Sequence, residues 1–319
     1  MRQPRYQLVS TSERRFYHCV SRCVRRAYLC GFDTATGQSF EHRRQWVEER
    51  LLALADIFAV GIYAYAVMEN HVHLVLMVDP AVAATWSAET VAERWVRLCP
   101  VRTNGKIDAD ACRMRQDLIA SDPVQTAVYR HRLVDLAWFM RSLNEPIARR
   151  ANSEDACTGH FWESRYKCQA LLDDAAIVAC MTYVDLNPVR AGIASDLASS
   201  THTSVTRRLR SARPAGHALR PIRGIPAKSF PITTIAYIDL VEWTGRQYQP
   251  GKRGRISEAP PSALRQLAID EVQWRRQAMA VESCYWRAVG SMQRLIDKAH
   301  AIGQSWLKGT GRVAQAKRC

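Results

Sequence analysis

The sequence predicts an α+β fold: an antiparallel sheet with helices packed on one face, followed by a basic, mainly helical C-terminal extension. Three observations carry that expectation. Strand-like and helix-like periodicities follow one another as β, α, β, β, α, β, α over the first two-thirds of the chain. Two of the strand runs, Gly61 to Met68 and His71 to Val78, are separated only by Glu69 and Asn70, which makes them neighbouring antiparallel strands. Finally, Val72, Leu74, Leu76 and Val78 alternate along the second run and form an all-aliphatic row, which predicts burial under helices.

The elements follow in order. Arg15-Phe16-Tyr17-His18-Cys19-Val20-Ser21-Arg22 is rich in aromatic and β-branched residues and reads as a first strand, with a basic, irregular stretch after it to about Phe40. A helix fits Glu41 to Val60, since Trp46, Val47, Leu51, Leu52, Leu54, Ala55 and Phe58 recur at helical spacing. Gly61 ends it, and the two paired strands come next. Residues 87–121 contain helical pieces and the turn-forming Thr103-Asn104-Gly105-Lys106, an elaboration on the core. A helix near Val128 to Arg150, a polar loop through Asn152 to Asp155 and a fourth strand from about Tyr166 to Leu172 follow. Asp173 or Asp174 then caps a helix that runs to Leu186 and stops at Asn187-Pro188, because the residue before proline disfavours helical geometry.

Past Ser200 the composition changes. Between Thr201 and Pro260, Arg207, Arg208, Arg210, Arg213, Arg220, Arg223, Lys228, Arg246, Lys252, Arg253 and Arg255 face only Asp239, Glu242 and Glu258. Pro214, Pro221, Pro226 and Pro231 interrupt this stretch, so its first half reads as a linker or arm with little regular structure, although Ile238 to Arg246 looks like a small packed element. Helices resume near Pro261 to Ala278 and Val281 to Ala301. The expected organisation is a core over residues 10–195, a basic linker or accessory region over 196–260, and a helical extension over 261–319.

Charge and cysteine usage narrow the function. Lys and Arg outnumber Asp and Glu by 45 to 30 in 319 residues, a net charge of +15. That favours an extended polyanion as partner, nucleic acid ahead of an anionic membrane surface. The start, Met1 to Gln7, lacks the apolar core of a secretory signal, and no run is long and apolar enough to span a bilayer. The ten cysteines are scattered with no CxxC pair, and they read as reduced thiols in a cytoplasmic protein. Cys19 and Cys23 alone are near enough in sequence to share a metal.

Two imidazoles at i and i+2 of a strand, His71 and His73, project side by side and so offer adjacent ligands to one divalent ion. In the helix after the fourth strand, Ile177, Cys180, Met181 and Val184 form the stripe expected to be buried, and Tyr183 and Asn187, four apart, share one flank of it. Such a tyrosine is ordinarily a packing residue. Its chemical use depends on the histidines facing the same cleft.

Three blocks carry a resemblance. Met68-Glu69-Asn70-His71-Val72-His73-Leu74-Val75-Leu76 resembles the HUH motif of the IS200-like transposases, histidine, a bulky hydrophobic residue, histidine, on a strand. Gly159 to Lys167 and Tyr183-Val184-Asp185-Leu186-Asn187-Pro188-Val189-Arg190-Ala191-Gly192 resemble the two later family blocks, most closely in the REP-associated tyrosine transposase branch. The blocks stand in family order across about Arg15 to Ile193. The resemblance implies a ferredoxin-like or RRM-like HUH core, with Tyr183 as nucleophile, chosen over Tyr166 and Tyr129 by its spacing to the Asn187-Pro188 step. It also implies His71 and His73 as metal ligands, with Asn187 at the family's third ligand position, where glutamine is common.

On that resemblance the chain uses Mg²⁺ or Mn²⁺ and no nucleotide cofactor, and it acts on single-stranded or hairpin-flanked DNA through a 5′-phosphotyrosine, with a homodimer among the allowed assemblies. Arg141, Arg165, Lys167 and Arg190 are the expected DNA contacts. Two alternatives remain at this point: a domesticated hairpin-binding protein without transposition activity, and a metal-dependent nuclease that uses water.

Overall fold

The hairpin around Glu69-Asn70 joins two inner strands of the sheet. The computed structural model describes residues 13–24, 29–34, 36–211, 217–225, 229–248, 260–279, 281 and 287–308. Strand β1 spans Arg15–Arg22, a small ribbon pairs β2 (Phe32–Asp33) with β3 (Gln38–Ser39), and helix α1 covers His42–Ala55. Strands β4 (Val60–Val67) and β5 (His71–Val78) pair antiparallel from Val67↔Val72 to Val60↔Val78, with one irregularity between Ile62 and Ala64. Two predicted boundaries shift here, since α1 stops at Ala55 and β4 begins at Val60 rather than Gly61.

The 87–121 elaboration holds the expected pieces. After α2 (Pro80–Ala84), α3 (Ala88–Leu98) starts where the Ser87 hydroxyl accepts the Thr90 N–H at 3.2 Å. Strands β6 (Arg102–Thr103) and β7 (Lys106–Ile107) close on Asn104 and Gly105, both at positive φ (53° and 79°), the conformation a tight two-residue hairpin requires. Helix α4 covers Ala109–Ser121.

The single helix expected near Val128 to Arg150 is two. Helix α5 (Pro123–Leu133) is capped by Asp122 with proline in its first turn, and α6 (Leu136–Glu154) is capped by Asp135. Each cap carboxylate accepts two backbone N–H groups, so the chain breaks and restarts at Val134-Asp135. The expected polar loop from Asn152 is helical to Glu154, where Arg43 of α1, itself buried, holds Glu154 at 2.6 Å and also pairs with Asp155.

Strand β8 spans Lys167–Leu171, one residue shorter at each end than expected, so Arg165 and Tyr166 lie in the segment that leads into it. Helix α7 (Asp174–Asp185) starts where Asp173 accepts the Ala176 N–H at 2.9 Å, and after Leu186 the short α8 (Asn187–Arg190) continues the chain instead of stopping it.

The C-terminal third is more regular than its prolines predict. It contributes α9 (Ser204–Arg210), β9 (Arg223–Gly224), α10 (Thr234–Tyr248), α11 (Ser262–Gln266), α12 (Glu271–Met279), β10 (Ala288–Val289) and α13 (Met292–Ala301). Its two short strands form both edges of a six-stranded sheet ordered β10-β8-β1-β5-β4-β9. The sheet is antiparallel except at β10–β8, which is parallel, so it is mixed rather than wholly antiparallel. Gly224 sits at φ 98° against β4, where a Cβ would lie 2.0 Å from the Val60 carbonyl oxygen. Outside the described residues lie Met1 to Gln7, Arg213, Pro214, Pro226, Lys228, Lys252, Arg253, Arg255, Glu258, Cys284 and Cys319.

Register sorts the side chains into two faces. Ser21 and Cys19 oppose Val72 and Leu74, and this aliphatic face carries α1 and α6: the Asn144 amide donates to the Ser21 hydroxyl at 2.8 Å, and the Tyr65 hydroxyl to Glu48 at 2.5 Å. On the other face Val20 opposes His73 and Gln169 opposes His18. That face carries α7, with α10 and α12 packed on α7 in turn. Helices therefore cover both faces, not one. With neighbours on two sides, α7 is buried around its whole circumference from Ala176 to Asp185. Among the described residues no helix is long and apolar enough to cross a membrane.

Candidate active site

The site begins where β5 leaves its turn. Asn70 Oδ1 lies 2.6 Å from His71 Nδ1. A carbonyl oxygen only accepts, so the His71 Nδ1 carries the hydrogen and its Nε2 presents the lone pair. The His71 and His73 rings meet at 4.6 Å and 77°. Burial, helped by the charges of Arg22, His18 and Lys167, pushes the His71 imidazole down to about 4. Burial, with His71 and His18 adding to it, holds His73 well below its ordinary value. Both rings are neutral near pH 7, the state in which imidazole ligates a metal.

Helix α7 brings Tyr183 over these rings. Its ring centroid lies 5.8 Å from that of His73 and 6.1 Å from that of His18, edge-on at 81° and 77°. The guanidinium of Arg190, from α8, sits 4.7 Å over the Tyr183 ring on the outer side. Tyr183 is 7% exposed and His73 is 1% exposed. Asn187 opens α8 one turn after Tyr183, and its Nδ2 is buried with no hydrogen-bond partner among the described residues.

Two neutral imidazoles and an amide make a donor set that fits a divalent ion accepting nitrogen and oxygen. Among the described residues no group of three or more His, Cys, Asp or Glu could hold a metal, so a third protein ligand would have to be another side chain, such as the Asn187 amide one turn after Tyr183. The same finding covers Cys19 and Cys23: both are buried, and burial pushes the Cys23 thiol up to about 12, an inert neutral group. The eight described cysteines are thiols, none of them in a disulfide among the described residues.

The expected DNA contacts divide. Lys167 is exposed and opposes Val20 on the histidine face, and its charge acts on His71. Arg190 stands over Tyr183. Arg165 is exposed in the segment leading into β8. Arg141 is not brought to the site: it lies on α6, across the sheet, where it pairs with Glu145 at 3.0 Å and sits 5.4 Å from the Trp138 ring centroid.

Three site residues escaped sequence reasoning. His18 touches both His73 and Tyr183, Gln169 touches His18, and Arg22 opposes His71. Each occupies the alternate phase of its strand that faces the histidines. The phase of β1 against β5 is a matter of register, which the periodicity of either strand alone leaves open.

The lower end of α7 is tied to the C-terminal third. Asp185, fully buried, accepts from the Ser204 hydroxyl, from the Val205 N–H at 3.0 Å and from the Tyr237 hydroxyl at 2.5 Å. Burial raises its carboxyl to about 6, with those donors opposing the rise.

No protein-family model matches the chain, and no curated protein matches it. Among solved structures, a REP-associated tyrosine transposase bound to a REP hairpin is similar at 11% identity and a TM-score of 0.38, over 71% of this chain and 93% of that one.

Proposed function

We propose that the chain is a single-tyrosine DNA strand transferase that cuts and rejoins single-stranded, hairpin-flanked DNA. The observation that supports this most is the placing of the Tyr183 ring between the His73 and His18 rings within and the Arg190 cation without. A phenol there is next to candidate metal ligands and to a cation suited to phosphate. The Tyr183 oxygen would form a bond to the scissile phosphorus while the bond from phosphorus to the 3′ oxygen breaks. The tyrosine loses its proton and the departing strand gains one as a 3′-hydroxyl. Attack by another 3′-hydroxyl reverses these changes and restores the phosphodiester without an external energy source.

His71, His73 and the Asn187 amide would hold Mg²⁺ or Mn²⁺, which when bound supplies neutralisation of phosphate charge in the transition state. Arg190, Lys167, Arg165 and Arg22 would position the strand through its phosphates, in keeping with the net charge of +15.

The enclosure of the site favours one second reading. A tyrosine 7% exposed beside a histidine 1% exposed also suits a hairpin-binding protein that does not cut. Incubation with end-labelled single-stranded hairpin DNA and Mn²⁺ separates the readings. A denaturation-resistant adduct lost in Tyr183→Phe is the expected outcome. Cleavage without adduct indicates a water-using nuclease, and binding alone indicates the hairpin-binding protein.

A further inference from the structure

Behind His73 runs a chain of polar groups across three strands. Gln169 Nε2 of β8 donates to the backbone carbonyl of Val281 at 3.2 Å. Gln169 Oε1 lies 2.8 Å from His18 Nδ1 of β1, and His18 Nε2 lies 3.0 Å from His73 Nδ1 of β5. The two imidazoles are nearly coplanar (9°) with centroids 5.3 Å apart, the arrangement of rings bonded edge to edge through nitrogen rather than stacked face on face. All three side chains are buried.

The direction of each bond follows from the first. A carbonyl oxygen at Val281 only accepts, so the Gln169 amide turns its NH₂ that way and its oxygen toward His18. That oxygen also only accepts, so His18 Nδ1 carries the hydrogen. Where His18 is neutral its Nε2 is a lone pair and His73 Nδ1 donates to it, whereas a doubly protonated His18 would reverse the bond, and the ring tautomers distinguish the two. The neutral His73 ring is left with its lone pair on Nε2, the same tautomer that Asn70 imposes on His71.

We infer that His18 and Gln169 are positioning residues that fix the His73 tautomer, so that both strand histidines present Nε2 to one divalent ion. This rests on the proposed metal role of His71 and His73. It also assigns a task to the C-terminal third, whose Val281 carbonyl sets the direction of the chain of bonds. Partners of this kind behind a ligating histidine typically change metal affinity by about ten- to a hundredfold when removed.

The test uses the full-length protein labelled with ¹⁵N-histidine, free of metal. Long-range ¹H–¹⁵N correlation reads each ring's tautomer, with resonances assigned through single His→Gln variants. His18 and His73 should both carry hydrogen on Nδ1. In H18F, His73 should lose its single tautomer and Mn²⁺ affinity should fall about ten- to a hundredfold. H18Q, whose amide oxygen can accept from His73 Nδ1, should recover both. If H18F does not fold, Q169L, which removes the acceptor for His18, gives the same reading. Hydrogen on Nε2 of His73 in the wild type, or an unchanged His73 tautomer in both H18F and Q169L, would overturn the inference. Because the tautomer is read without metal, a wild type that binds no Mn²⁺ would count against the proposed function while the bond direction is still decided.

Discussion

The two faces of the central sheet solve different problems with the same strands. On one, Val72, Leu74, Leu76 and Val78 meet α1 and α6 as an aliphatic interface, and its main polar contacts lie at the rim. On the other, His73, His18 and Gln169 are joined by hydrogen bonds beneath α7, and Tyr183 of that helix meets the His73 ring edge-on. Apolar packing tolerates many arrangements of similar volume, whereas a buried chain of imidazoles and amides is stable only with its donors and acceptors matched. The first face supplies stability. The second holds a geometry, and the C-terminal third closes over it.

This contrast breaks most visibly at Leu76. Leu76→Ala should cost about 2–5 kcal/mol in unfolding free energy, read by denaturant titration, while the yield of DNA adduct per folded molecule stays unchanged. A large loss of adduct from the folded fraction would mean that the two faces are not separable.

The polar rim of the aliphatic face offers a test by pH. Burial would raise the Glu48 carboxyl, but hydrogen bonds from His202, Tyr65 and Arg207 outweigh it and bring the group down to about 2. The unfolded chain binds that proton near the ordinary 4.3, so this contribution is complete above about pH 5 and is lost as pH falls from 4 toward 2. Glu48→Gln should remove about 1.5 kcal/mol of the stability loss between pH 7 and pH 3, roughly half of the full span between the two pKa values. Unfolding titrations of both proteins between pH 3 and 7 check this, and parallel pH profiles would contradict it.

Smaller effects sharpen the division of the arginines. Arg190→Ala should weaken hairpin DNA binding roughly tenfold and lower the slope of log affinity against log salt by about one. Arg141→Ala, across the sheet and already paired with Glu145, should change affinity by less than about twofold. Equal effects from the two would show that the DNA path crosses both faces.

Much of the fold was legible in the sequence because strand periodicity is a local property. The ranges of β1 and β5 and the Asn104-Gly105 turn follow from alternation and turn chemistry alone. The break between α5 and α6 was signalled by Asp122-Pro123 and Asp135, but the apolar spacing running through it masked the restart. Prolines near 214–231 predicted an irregular arm, yet Thr203 caps α9, and Ile222 and Ile225 bond to β4. Tertiary pairing supplied what local composition lacked. At the site, His71, His73 and Tyr183 could be singled out by spacing and resemblance. His18, Gln169 and Arg22 could not, because their relevance appears only once the phase of three strands is fixed.

The linkage itself can be read at one residue. Trypsin cuts after Lys167 and Arg190 and leaves the peptide Cys168 to Arg190, in which Tyr183 is the one tyrosine. After reaction with single-stranded hairpin DNA and Mn²⁺, nuclease trimming and tryptic digestion, mass spectrometry should find this peptide heavier by a nucleotide joined through its 5′ phosphate. An adduct on the peptide ending Tyr166-Lys167, or cleaved DNA with the 168–190 peptide unmodified, would contradict the assignment of Tyr183 as nucleophile.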